Sequence, residues 1–194
     1  MLNEKKTAAA LRAAFKGNGY RVLLSSGIVS VRAGFWAFEI GAELLPREVL
    51  GRIVEHIGVI PGSGEAYLCR KGSIGQTVSV DEELLFWEKL RQEARQARTP
   101  VRVTRLWADG LQVWQETQNM RVVLIDPEQL LIVDPDFYNT ACCCTDGEEP
   151  PDRIYLCGLD EHSLAVVEAC ERGEHDSGMD RLDGFPWRGE NMKW

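Results

Sequence analysis

The chain has 194 residues, 44% of them hydrophobic, enough to bury one substantial core or two closely packed halves. No apolar run approaches the roughly 20 residues that a membrane-spanning helix needs, and the opening MLNEKKTAAALRAAFKG carries charge where a secretory signal would place an apolar block, so a cytoplasmic protein without membrane contact is expected. The formal charge of -8 is uneven: residues 1–125 hold 17 Lys or Arg against 13 Asp or Glu, residues 126–194 hold 5 against 17, and an acidic block of this kind favours basic partners.

Asn3 can cap a first helix with Ala8, Leu11 and Phe15 on one side, ended by Gly17 and Gly19. Three strands follow at 20–25, 28–32 and 35–40, separated by Ser26-Gly27 and Ala33-Gly34. Leu45-Pro46 opens a second helix whose stripe is Val49, Leu50, Ile53, Val54 and Ile57, closed by Gly58. Glu48 and Arg52 have the spacing of a helix-surface ion pair, and His56 at the stripe's edge reads as structural. A hairpin over 66–71 and 73–80 turns near Lys71-Gly72. Ser79 and Glu82 then have capping-box spacing for a third helix with Trp87, Leu90, Ala94 and Ala97 on one face, stopped by Pro100.

The order α-βββ-α-ββ-α over residues 1–100, the Leu45-Pro46 lead, the small-residue Gly62-Ser63-Gly64 stretch and a last helix ending in Arg91, Arg95 and Arg98 together resemble the secretion-chaperone-like fold of type III secretion chaperones and their relatives. That family is small, acidic and dimeric, and holds extended segments of partner proteins without catalysing a reaction. The resemblance therefore implies a protein partner, and a homodimer as the state of the chain.

Residues 101–126 give the clearest pattern, three antiparallel strands turning at Asp109-Gly110 and Gln118-Asn119. Those turns place Leu106, Val113 and Leu124 on one face, and Arg105, Trp114 and Val123 on the other. The second face, which also carries Val103, Trp107 and Ile125, is expected to be half covered. Further on, Asp126-Pro127 reads as a turn, 130–133 and 153–157 as strands, and Asp160 as the cap of a last helix through Leu164, Val167 and Cys170 to Gly173. The expected fold is α+β, antiparallel β-meanders packed against amphipathic helices in the order α-βββ-α-ββ-α-βββ-β-β-α. Residues 1–172 form one domain, with the option of two similar halves at 1–80 and 81–172. Residues 173–194 form an acidic tail that carries Phe185, Trp187 and Trp194.

No convergent catalytic set is legible, so the first functional reading is a non-enzymatic protein-binding protein, adaptor or chaperone-like, with Trp107, Trp114, Trp187 and Trp194 as aromatic anchors. A zinc-stabilised module or metal-dependent enzyme is the alternative. Its ligands would come from Cys142, Cys144, Cys157 and His162, within a region reaching Cys143 and Cys170, or from Asp126, Glu128, Asp134 and Asp136. Six cysteines without a secretory signal read as reduced thiols rather than a disulfide framework, and the weight against the metal is their spacing, unlike a CxxC pair, with three adjacent cysteines poorly placed to share one ion. Arg91, Arg95, Arg98, Arg102 and Arg105 beside Trp107 and Trp114 form a second alternative, a patch for nucleic-acid phosphates and bases, against which the acidic last third weighs.

Overall fold

The computed structural model describes residues 2–134, 138–144, 151–158 and 163–170. The elements are α1 (Glu4–Lys16), β1 (Tyr20–Ser25), β2 (Ile28–Arg32), β3 (Trp36–Gly41), α2 (Arg47–Ile57), β4 (Glu65–Cys69), β5 (Gln76–Thr77), α3 (Val80–Gln96), β6 (Thr99–Ala108), β7 (Leu111–Glu116), β8 (Val122–Ile125), α4 (Pro127–Leu130), β9 (Tyr138–Cys143), β10 (Arg153–Gly158) and β11 (Leu164–Glu168). The fold is α+β. Local chemistry sets the ends of the helices. Asn3 accepts from the Lys6 N–H at the start of α1, Ser79 from the Glu82 N–H at the start of α3, and Gly58 closes α2 in the left-handed conformation.

Among the described residues the eleven strands form one antiparallel sheet in the order β5-β4-β1-β2-β3-β11-β10-β9-β6-β7-β8. The two meanders do not touch edge to edge; β9, β10 and β11, contributed by the end of the chain, lie between them. Leu2 bridges to Val133, and Asn3 N–H and the Thr7 hydroxyl both donate to the Ile132 carbonyl, so the segment after β8 closes onto the start of α1 and the sheet bends round that helix.

Alternation along every strand divides the molecule cleanly. Val22, Val31, Phe38, Ile40, Ala141, Cys143, Ile154, Leu156, Ala165, Val167, Trp114, Val123 and Ile125 pack with Leu11 of α1 and with Val49, Ile53 and Ile57 of α2. Leu23, Ala37, Ala66, Tyr155, Leu164 and Val166 face the other way, against Trp87 and Leu90 of α3. Helix α3 thus lies over β1, β3, β10 and β11, while the meander that follows it in the chain packs its outer face separately through Val113, Val122 and Leu124.

Charged groups as well as apolar ones hold α3 down. Glu83, buried, takes Arg21 and Arg32 at 2.7 and 2.8 Å; Arg91 grips buried Glu39 with two nitrogens, and Ser30 donates to the same carboxylate; Glu93 accepts from Arg153 and from the Tyr155 hydroxyl. Burial alone would raise Glu83, but its hydrogen bonds to Arg32 and Arg21 outweigh that and hold it below the ordinary carboxylate value.

Four local expectations are corrected. The last helix is absent from 164–168, which is the strand β11; Ala165, Val166 and Val167 are buried on both faces of the sheet, where an unbroken apolar run is needed rather than helical spacing. In place of a strand at 130–133, Asp126 caps the single turn of α4 by accepting from the Glu128 N–H, and only Val133 makes a bridge. Arg52 pairs with Glu55 rather than Glu48, whose backbone N–H is taken by the Glu4 carboxylate. The β2–β3 turn has Gly34 and Phe35 at its centre, since Ala33 N–H bonds the Trp36 carbonyl and Arg32 faces Ala37, so Phe35 is at a hairpin tip and not in β3.

Candidate partner-binding groove

The hairpin of β6 and β7 turns as its sequence requires, with Asp109 and Gly110 both at positive φ. Farther along, β6 carries two more residues than β7. Trp107 faces Gln112 and Val103 faces Trp114, leaving Arg105 in a bulge instead of opposite Trp114. Thr104 stitches this bulge: its hydroxyl donates to the Val113 carbonyl at 2.6 Å and accepts from the Leu106 N–H. Leu106 still joins Val113 and Leu124, as the turn geometry implies.

This arrangement disperses the residues expected to bind. Trp114 is fully buried, with its indole N–H on Gln112 Oε1, and the sheet face expected to be half covered is part of the main core. Trp107 remains 59% exposed. Arg91 is committed to Glu39, whereas Arg95, Arg98, Arg102 and Arg105 are exposed. Trp107 and Arg102 face Gln112 and Gln115, an odd number of residues apart, so they emerge on opposite faces of the ribbon and do not make one surface.

The cysteines divide by the same alternation. Cys143 faces the main core, while Cys142, Cys144 and Cys157 face α3, where the Cys144 thiol donates to the Glu93 carbonyl. Among the described residues no three His, Cys, Asp or Glu side chains gather as a metal would require. His162 and Asp136 lie outside the described residues, as do His175 and the aromatic positions 185, 187 and 194. Burial pushes the Cys69 and Cys143 thiols up to about 12 and raises Cys157 and Cys170, the reverse of what a thiolate nucleophile needs. His56 is buried, bonded through Nδ1 to the Tyr20 hydroxyl at 2.8 Å and stacked on Phe15 at 3.9 Å; burial lowers its pKa, and it is part of the core.

What the fold does leave open is a groove of about 520 Å³ beside α1. Its floor is Ala9, Ala10, Ala13, Ala14 and Gly17 of α1, of which Ala10 and Ala14 also pack against the main core; one wall is the β2–β3 turn with Phe35 and Trp36, and the other is α4 with Asp126, Glu128, Gln129 and Leu131. Phe35 is 64% exposed, and Glu168 N–H fixes its carbonyl, so the turn is anchored while the ring projects into solvent. Helical spacing identified the core side of α1, including Ala8, and passed over the alanines that line the groove. The signal for this floor was Ala9 and Ala13, which fall off the stripe of Ala8, Leu11 and Phe15 and stay exposed.

No protein-family model, curated protein or solved structure matches the chain. Its own geometry is therefore the basis for any functional reading. Among the described residues no helix is long and apolar enough to cross a membrane.

Proposed function

We propose that the chain is a non-enzymatic protein-binding protein, adaptor or chaperone-like, that receives a partner in the groove beside α1. The observation that carries this reading is Phe35: a large aromatic ring held 64% exposed on an anchored hairpin tip at the rim of an apolar groove. Phe is among the aromatic residues enriched at protein interfaces, and here it stands beside an apolar floor with polar groups at its edge. The groove itself presents Lys6, Asn18, Asp126, Glu128 and Gln129 as its polar side chains, with Asp126 occupied as the cap of α4, so it holds no nucleophile paired with a base. The element order over residues 4–96, α-βββ-α-ββ-α, is the order on which the likeness to type III secretion chaperones rests, and holding segments of other proteins is what that likeness implies.

The test places a photoreactive phenylalanine at Phe35 of the full chain, and at exposed Lys71 as a control, and irradiates cells producing each form. The reading expects discrete adducts of defined mass from position 35, suppressed by excess unmodified chain. Equal adducts from both positions would reject it.

A further inference from the structure

We propose that α3 is a detachable cover, lifting from the sheet as one unit while the larger core on the opposite face stays folded. The device is independent of the groove beside α1. It follows first from how the two faces of the sheet are sealed. Among the described residues the main core takes side chains from α1, α2 and the strands and none from α3, whose seam is confined to the other face. Such separation lets one layer open by itself, since a sub-global opening breaks only the contacts of the unit that moves.

The seam is thin. Of the 17 residues of α3 only Glu83, Trp87 and Leu90 are buried, against four of the 11 in α2, while Val80, Phe86 and Ala94 are partly buried. A cleft of about 120 Å³, lined by Phe86 and Leu90 of the helix and by Trp36, Ala37 and Val166 of the sheet, interrupts the packing, and atoms that face it lose their dispersion contacts on that side. Charge supplies the rest of the attachment: Glu83 to Arg21 and Arg32, Arg91 to Glu39, and Glu93 to Arg153 and the Tyr155 hydroxyl. The four arginines already keep between 26% and 37% of their side-chain surface in water, so on lifting they exchange a carboxylate for water at modest cost. Glu39 retains its bond from Ser30 when Arg91 leaves. Opening bares Leu23, Ala37, Ala66, Tyr155, Leu164 and Val166, a second apolar face that the closed molecule hides.

The experiment is native-state hydrogen exchange on the full chain near neutral pH, read residue by residue by NMR, with two variants. In wild type the amides of residues 84–96 are expected to exchange through openings at least about ten-fold more frequent than those that release the slowest amides of α2 and β2. Glu83→Gln should speed the α3 amides at least about ten-fold, by removing the carboxylate that two arginines share. Ile53→Val, in the main core, should speed the slowest α2 amides several-fold through lower global stability and leave the α3 amides unchanged, because their opening does not expose Ile53. Amides of α3 as slow as the slowest of α2, or accelerated equally by Ile53→Val, would mean that the helix leaves only with the whole fold, and would overturn the proposal. So would α3 exchange that Glu83→Gln does not alter. The wild-type comparison and Ile53→Val decide the matter even where Glu83→Gln fails to fold.

Discussion

Replacing Glu83 by Gln tests whether the charged layer beneath α3 contributes to stability. The substitution keeps the shape of the side chain and one oxygen, but removes the charge that Arg21 Nη1 meets at 2.7 Å and that Arg32 meets through Nε and Nη2 at 2.8 Å. Breaking a fully buried ion pair costs about 3–5 kcal/mol. Here the Arg21 and Arg32 side chains keep 37% and 26% of their surface in water, so they rehydrate once released, and the cost falls to about 2–3 kcal/mol. With a urea dependence of about 2 kcal/mol/M, the unfolding midpoint followed by tryptophan fluorescence should drop by about 1–1.5 M near pH 7. The pH dependence has a definite sign. Because Glu83 is held below its ordinary value of 4.5, its contribution is complete above that value and is lost as the pH falls through the folded-state pKa, so the gap between wild type and variant should narrow as the pH drops below 4.5. A midpoint shift below about 0.3 M near neutrality, or a gap that survives undiminished at low pH, would refute the reasoning.

Two further outcomes follow from the packing. His56 has its pKa lowered, chiefly by burial, so folding favours its neutral form; stability from this residue is present above its ordinary value of 6.5 and declines as the pH falls below it, and His56→Gln should flatten the melting temperature between about pH 7.5 and 5 while lowering it throughout by loss of the Phe15 stack. Unchanged pH dependence in that variant would remove His56 from the account. Thr104→Val deletes the hydroxyl that bridges the β6 bulge and leaves the Leu106 N–H without its acceptor, which should cost about 1–2 kcal/mol by urea unfolding with no change in far-ultraviolet circular dichroism; a neutral result would mean that water replaces the hydroxyl fully.

Much of the molecule was legible in the residues because the interactions involved span only a few positions. Ser26-Gly27 and Asp109-Gly110 adopt the positive φ angles that a two-residue hairpin demands, Asn3 and Ser79 cap the helices they precede, and the periodic stripes of α1, α2 and α3 face the core except for Leu50 of α2, which is exposed while His56 is buried in its place. The alternation of Val113 and Leu124 against Trp114 and Val123 likewise follows from the turns that bound those strands. The candidate site was less visible. Phe35 changes from a strand residue to an exposed rim residue through a one-residue difference in where the β2–β3 turn is centred, a choice made by the pairing of Arg32 with Ala37 and by Glu168 from a distant strand.

Tertiary structure alone decided that residues 164–168 form a strand and that β11, β10 and β9 join the two meanders into one sheet. Leu164 and Val167 fit a helix as well as a strand over so short an apolar run, and only the simultaneous covering of one face by α1 and α2 and the other by α3 makes a strand buried on both sides the stable choice. A turn is fixed by the dihedral preferences of its own residues, whereas a strand's partner is fixed by which distant surface remains uncovered when the rest of the chain has folded; that is why the hairpins could be read from the sequence and the order of the sheet could not.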